Sequence, residues 1–323
     1  MTNAELADIF FEEWESGKQE FSIQTSGSIG APKTIVLKRQ WMIWSAEQTA
    51  KVLNPINQDS ILCCLPVSKV GGLMQLVRAK VWGVEILVVE PLANPLNLKT
   101  SCNIISLTPY QLFYVLNDEV SIKNLRQCKE VLIGGSDIAE SLVQKIQSLN
   151  FETTVFRHSY GMTETCSHIA LRTLNGINKT NYFTPFDEIE ITINENKCAQ
   201  LKMPFYSEII QTNDIIELQT NNTFKVLGRA DNTINSGGVK LQPEVIEKAI
   251  RDHFGIDEIF YIASKSDVLL GQKLVLITEP SFTYQLSDLD FLKTINPYAV
   301  PKEIIYIEKL ERNDGGKIRR KVF

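Results

Sequence analysis

The chain has 323 residues, 44% hydrophobic and 22% charged, and its 33 Lys plus Arg against 38 Asp plus Glu leave a net charge of −5 with histidine neutral. At about 150 residues per domain the length suits roughly two domains, and the composition excludes wholesale disorder. A mildly acidic chain also lacks the dense basic surface that unspecific nucleic-acid binding draws on.

In chain order, residues 4–16 show helical spacing, with Leu6, Ile9, Phe10 and Trp14 on one face. Phe21–Gln24 reads as a short extended run. A Gly/Ser-rich loop follows, then a β-rich run Thr34–Leu37 and a helix over 40–53. Strands at Ile61–Leu65, Glu85–Val89, Asn103–Leu107 and Glu130–Ile133 alternate with helices at Leu73–Trp82, Pro109–Leu116 and Ala139–Leu149. This alternation predicts an α/β domain with a largely parallel sheet. From 186 to 228 the pattern turns to strands alone: Glu188–Ile193, Ile209–Gln211, Ile215–Gln219 and Thr223–Val226. They predict an antiparallel or barrel-like annex. From about 232 the mixture restarts, with a helix Pro243–His253, strands near Glu258–Ala263 and Lys273–Thr278, a helix near Leu286–Ile295, a strand Glu303–Glu308 and a basic tail. The boundary is expected at Arg229–Asn232, dividing the chain into domains of residues 1–230 and 231–323.

The six cysteines (Cys63, Cys64, Cys102, Cys128, Cys166 and Cys198) contain no C-x-x-C pair, and the three histidines (His158, His168 and His253) are scattered. Neither a disulfide framework nor a zinc site is expected. The acidic start, MTNAELADIFFEEWESGKQE, lacks the basic and apolar regions of a signal peptide. The most apolar region, Ile61–Glu90, is broken by Lys69, Arg78 and Lys80 before it reaches the roughly 18 apolar residues of a spanning helix. A soluble, cytoplasmic protein without a membrane partner is the expectation.

Thr25-Ser26-Gly27-Ser28-Ile29-Gly30-Ala31-Pro32-Lys33 combines small residues that let backbone approach an anion, hydroxyl donors, and a lysine that can neutralise phosphate. Alone it also fits a flexible surface loop. It is not a Walker loop, because Ala31 and Pro32 separate the second glycine from the lysine. The string resembles the phosphate loop of the acyl-adenylate-forming superfamily, whose usual form is T-S-G-S-T-G-x-P-K, and departs from it only at Ile29. Further strings follow in the family's order. Ser159-Tyr160-Gly161-Met162-Thr163-Glu164-Thr165 resembles Y-G-x-T-E, and Asn213-Asp214 stands at the family's G-D pair. Gly228-Arg229-Ala230-Asp231-Asn232-Thr233-Ile234 with Gly237-Gly238 resembles G-R-x-D-D-x-I-x-x-G-G, and Gly315-Gly316-Lys317-Ile318-Arg319-Arg320 resembles S-G-K-I-x-R. Within the superfamily, the length and the string Tyr160 to Ser167 are most similar to the o-succinylbenzoate–CoA ligases of menaquinone biosynthesis.

The resemblance implies an AMP-forming acid–CoA ligase with ATP, Mg²⁺ and coenzyme A as co-substrate. A carboxylate attacks the α-phosphate of ATP, and a thiol then displaces AMP. Negative charge gathers at phosphorus, so fixed cations and donors should carry the first half. The resemblance implies a catalytic role for Lys317, a phosphate contact for Thr163 and the Mg²⁺ ligand in Glu164. It places Thr25, Ser26, Gly27, Ser28, Gly30 and Lys33 on phosphate, and Gly135, Ser159, Tyr160 and Gly161 along the adenine and acyl pocket. Asp214 and Arg229 would hold the ribose, and Asp231 is the hinge of a small mobile C-terminal α+β lid. Each residue has a plainer reading: Glu164 as a first-turn helix acid capped by Thr163 or Ser159, Asp214 as a turn residue, Tyr160 as core, and Arg319, Arg320 and Lys321 as surface charge. Lys69 and Arg78 could salt-bridge a second carboxylate of a dicarboxylic substrate, although such residues are more often surface charges.

Family members usually carry a long segment before the phosphate loop, and here 24 residues precede Thr25. The expectation is a shortened large domain that either exposes apolar surface, which a homodimer could cover, or is more open. Another aryl- or acyl-CoA ligase and a carrier-loading adenylating enzyme remain open alternatives. A degenerate adenylate-binding protein is disfavoured because Lys317, Glu164 and Asp214 are all kept.

Overall fold

The computed structural model describes residues 1–24, 33–97, 101–254, 260–312 and 318–320. By compactness these group into two units. The first takes residues 1–138, 142–189 and 203–208, and the second takes 139–141, 190–202 and the chain from 209 onward.

In the first unit, helix α1 (Asn3–Glu15) starts at a capping box in which Thr2 and Glu5 satisfy each other's backbone N–H groups. Ala7, Phe10 and Trp14 form its buried face, with the Phe10 and Trp14 rings 5.2 and 5.8 Å from Phe21. Burying each such ring is worth about 2–3 kcal/mol. Phe21 belongs to β1 (Glu20–Gln24), which pairs antiparallel with β2 (Thr34–Lys38), so Gln24 and Thr34 face each other. The expected phosphate-loop residues Thr25, Ser26, Gly27, Ser28 and Gly30 lie between them, outside the described residues. Helix α2 (Arg39–Leu53) ends at Asn54 in the left-handed region.

The alternation then runs as β3 (Ser60–Cys63), α3 (Val70–Trp82), β4 (Glu85–Val88), β5 (Ile104–Leu107), α4 (Pro109–Val115), α5 (Glu119–Leu125), β6 (Glu130–Ile133), α6 (Glu140–Ser148) and β7 (Val155–Gly161). The strands pair parallel in the order β4-β3-β5-β6-β7. β5 and β6 are buried at every position, as a sheet covered on both faces requires. β8 (His168–Thr173) and β9 (Thr184–Pro185) extend the sheet antiparallel beyond β7. The fold class is the expected α/β with a largely parallel sheet. Neither α5 nor β8 was expected from sequence, and β7 was represented only by its motif residues Ser159–Gly161, because its polar content hides the strand signal.

The second unit holds two sheets. β10 (Glu190–Ile193), β11 (Cys198–Lys202), β12 (Ile210–Leu218) and β13 (Phe224–Arg229) form an antiparallel sheet in chain order. The region expected as an annex is thus an antiparallel sheet, and by compactness it groups with the C-terminal residues. The expected runs Ile209–Gln211 and Ile215–Gln219 are one strand. Thr212 keeps the chain extended between them by donating to Ala199 O at 2.9 Å and accepting from the Asp214 N–H. The second sheet contains β14 (Ile234–Ser236), β15 (Val239–Leu241), β16 (Phe260–Asp267), β17 (Gly271–Thr278) and β18 (Glu303–Tyr306), with α7 (Pro243–Phe254) burying Ile246 and Ile250 beside it. The segment Leu286–Thr294, expected as an α-helix, is a 3-10 helix. A boundary of movement at 230/231 is a different property from compactness.

All six cysteines are free and buried. No described helix is long and apolar enough to cross a membrane.

Candidate functional site

In the first unit β6 ends at Ile133 and turns through Gly134-Gly135-Ser136 beside β7. A Cβ at Gly134 would collide with Ser159 Oγ, which itself donates to Ile133 O at 3.0 Å. His158 lies next to this turn, fully buried. Arg172 Nε donates to its Nδ1 at 3.1 Å, so its proton sits on Nε2 and is donated to Ser136 O at 3.2 Å. Burial, with Arg172 adding to it, outweighs the pull of Asp137 and drives the imidazole down to about 4. It therefore acts as a neutral strut for the Gly-Gly-Ser turn.

Tyr160 is half-buried, its ring 5.8 Å from Phe183. At Gly161 a Cβ would run into the backbone of Ser167 and His168, so the chain turning back into β8 leaves room for glycine alone. A 3-10 turn, Thr163–Thr165, follows. Neither Thr163 nor Ser159 caps a helix here, contrary to the plainer reading of Glu164. Thr165 Oγ1 holds the turn instead, accepting from Met162 N–H at 3.0 Å and lying 2.6 Å from Ser167 O. Glu164 is exposed on this turn and has no ion-pair partner among the described residues. Its backbone carbonyl accepts the Tyr206 hydroxyl at 2.8 Å, and Tyr206 stacks on Trp41 of α2 with centroids 4.4 Å apart. One exposed carboxylate on a pinned turn suits Mg²⁺, which takes one or two protein carboxylates and keeps water and phosphate oxygens. No described group of three or more His, Cys, Asp or Glu forms a closed metal cluster.

Arg78, offered above as either a substrate contact or a surface charge, is 2% exposed on α3. Its Nη2 donates to Ser167 Oγ at 2.8 Å and lies 3.2 Å from His168 Nδ1, while its Nε has no partner. Burial pushes the guanidinium down to about 10. Lys69 is half-buried at the start of the same helix.

In the second unit, Asp214 and Arg229 are directly opposite across β12 and β13. Arg229 Nη1 donates to Asp214 Oδ1 at 3.1 Å, while its Nε and Nη2 grip Asp231 at 2.9 and 2.7 Å. Burial raises the Asp231 carboxyl, but the hydrogen bond and charge of Arg229 outweigh it and hold it below the ordinary carboxylate value. Asp231 sits in a 3-10 turn, Ala230–Asn232, that leaves β13. Arg320 is not plain surface charge. It forms a bidentate pair with the buried Glu247 of α7 and donates to Ile262 O at 3.2 Å. Lys33 is exposed just before β2. Lys317 lies outside the described residues.

The described site residues thus fall into two groups. Gly135, Ser159, Tyr160, Gly161, Thr163 and Glu164 gather at the β6 and β7 ends of the first unit, and Asp214, Arg229 and Asp231 form a chain of ion pairs in the second. Thr49, His158, His168 and Tyr206 were not assigned site roles from sequence, and Ser167 entered only as the end of the Tyr160–Ser167 string. That string, with His168 just beyond it, was the usable signal.

This architecture is the fold of the AMP-forming acyl-CoA synthetases. The chain belongs to the AMP-binding enzyme family, whose model matches residues 21–199. The chain is similar to an acyl-CoA synthetase (AMP-forming)/AMP-acid ligase II-like protein from Dyadobacter fermentans, with 34% identity, a TM-score of 0.65, and coverage of 97% of this chain and 91% of that one. It shares 25% identity with the 2-succinylbenzoate–CoA ligase of Listeria monocytogenes over 97% of this chain and 71% of the ligase. The Bacillus subtilis o-succinylbenzoate coenzyme A synthetase in complex with ATP and magnesium shares the fold at a TM-score of 0.78 and 21% identity, over 93% of this chain and 68% of that one.

Proposed function

We propose that the chain is an AMP-forming acid–CoA ligase that activates o-succinylbenzoate. A carboxylate oxygen of the acid attacks the α-phosphorus of ATP, the bond to the pyrophosphate oxygen breaks, and an acyl-adenylate forms. The sulfur of coenzyme A then attacks the acyl carbon, and AMP leaves with the former carboxylate oxygen. Lys317 steadies the charge that builds on the α-phosphate. Thr25, Ser26, Gly27, Ser28, Gly30, Lys33 and Thr163 donate to phosphate oxygens, and Ser159, Tyr160, Gly161 and Gly135 line the adenine and acyl pocket. Asp214 accepts the ribose hydroxyls, with Arg229 aligning it. Glu164 would hold Mg²⁺, which supplies charge neutralisation on the phosphates when bound. Residues 231–323 turn about Asp231 between the two half-reactions, as a few element-terminal residues can allow.

The observation that favours a dicarboxylic acid is Arg78. A buried guanidinium without a carboxylate partner among the described residues is costly unless a ligand brings the counter-charge. The names of the Listeria and Bacillus relatives point to the same acid.

The test is turnover with o-succinylbenzoate, ATP, Mg²⁺ and coenzyme A, followed first as pyrophosphate release and then as thioester. Pyrophosphate without thioester would favour a carrier-loading enzyme. ATP binding without pyrophosphate across a panel of carboxylic acids would make the chain a binding protein and sink the proposal. Arg78→Ala should raise KM for o-succinylbenzoate about 100-fold, the scale of a lost buried charge contact, and an unchanged KM removes Arg78 from the acid site.

A further inference from the structure

Arg78 is held from behind. On the far side of the His168 ring, Nε2 lies 3.0 Å from Thr49 Oγ1. Thr49 has one hydroxyl proton, and it is donated to Ser45 O at 2.8 Å, one turn earlier in α2. Thr49 Oγ1 must therefore accept from His168, which puts the imidazole proton on Nε2. Nδ1 is then a lone pair facing Arg78 Nη2, which has only protons to offer. Both ends of the ring demand the same tautomer. Thr49 is fully buried, and His168 and Ser167 are at most 9% exposed. Burial and the charge of Arg78 hold the His168 ring well below the ordinary imidazole range, so it stays neutral. Ser167 and His168 occupy Nη2, and Nε is buried without a hydrogen-bond partner, so the guanidinium is not saturated by the protein.

We propose that Thr49 and His168 are positioning residues that fix Arg78 for the second carboxylate of a dicarboxylic acid, and so set the preference for dicarboxylic over monocarboxylic substrates. The inference rests on the assignment of Arg78 to the acid site made above. An arginine has four rotatable side-chain bonds and loses much rotamer freedom when held. The backbone carbonyl of Ser45, through Thr49 and His168, absorbs that cost on folding rather than on substrate binding. The carboxylate then meets a cation already aimed.

The experiment measures kcat and KM for o-succinylbenzoate, for ATP, and for whichever monocarboxylate analogue is turned over. The variants are Arg78→Ala, His168→Leu, His168→Asn, Thr49→Val and Thr49→Ser. Thr49→Val and His168→Leu should raise KM for o-succinylbenzoate about tenfold, as losing a hydrogen bond to a charged group does. Their kcat, their KM for ATP and their KM for the monocarboxylate should stay within about twofold. His168→Asn keeps an acceptor near the Nδ1 position, and Thr49→Ser keeps the hydroxyl, so both should restore most of the affinity. The proposal is overturned if Arg78→Ala raises KM while Thr49→Val and His168→Leu do not, or if His168→Asn is as damaging as His168→Leu. Equal loss of both acids in the Thr49 and His168 variants also overturns it. If Arg78→Ala itself changes nothing, the underlying assignment has failed instead. Should His168→Leu not fold, Thr49→Val carries the test. If neither folds, the two side chains are packing elements and the proposal falls.

Discussion

Replacing Arg78 by Met should make the fold more stable while crippling the acid site. The guanidinium is 2% exposed, and burial lowers its pKa to about 10, with no carboxylate among the groups acting on it. A displacement of that size corresponds to about 3 kcal/mol against the charged form. Because a cation's folded-state pKa is depressed, this penalty acts at every pH below about 10. Met fills the space of the arginine stem with an adaptable thioether. Against the gain stand Ser167 Oγ and His168 Nδ1, which lose a donor at a combined cost of about 1–2 kcal/mol. The balance is a gain of about 1–2 kcal/mol, or a rise in Tm of roughly 2–8 °C for a unit of this size. Calorimetry and urea melts on the wild type and Arg78→Met at neutral pH measure it, beside KM for o-succinylbenzoate. A fall in Tm of about 5 °C or more would show that Arg78 is a net structural element and refute the reasoning.

Arg320→Ala should cost the second unit about 2–4 kcal/mol, because it strands the buried Glu247 carboxylate with the Ile262 N–H as its remaining hydrogen-bond donor among the described residues. Chemical denaturation checks this, and pairing Arg320→Met with Glu247→Met should recover most of the loss. His158 is held at about 4 and His168 also below the ordinary 6.5, so the unfolded chain protonates before the folded one. Stability should be full above pH 6.5 and fall as the pH drops toward 4, by up to about 1.4 kcal/mol per pH unit for each histidine. An equally steep loss in His158→Gln would assign it to other groups. Tyr206→Phe removes the hydroxyl from Glu164 O and should raise the Mg²⁺ needed for half-maximal pyrophosphate release by about threefold to tenfold, and an unchanged Mg²⁺ titration would make Tyr206 a packing residue only.

The parallel sheet was legible because fully buried strands such as Ile104–Leu107 and Glu130–Ile133 are short apolar runs between helical stretches. The strand that carries candidate site residues was not: Val155–Gly161 contains Arg157 and His158, whose polar groups are satisfied by partners distant in sequence. The Thr163–Glu164 and Asp214 positions could be named from their strings. Their supports could not, since Tyr206 reaches Glu164 from 42 residues away and Thr49 reaches His168 from 119 away. Arg320 read as solvated charge because its partner Glu247 is 73 residues earlier. Composition cannot tell a surface arginine from one clamped to a buried carboxylate.

The β12–β13 hairpin has a practical consequence for engineering. Ile215 pairs with Gly228 but Ile216 pairs with Val226, so Leu227 is a bulge residue that shifts the ladder by one, next to the Asp214–Arg229 pair. Removing that extra residue would make the ladder regular, with Gly228 still opposite Ile215 and Arg229 still opposite Asp214. The tip, Asn221 and Asn222, is exposed and lies on the far side of the bulge from the pair. A peptide tag or dye inserted at the tip should therefore leave the Asp214–Arg229 register intact.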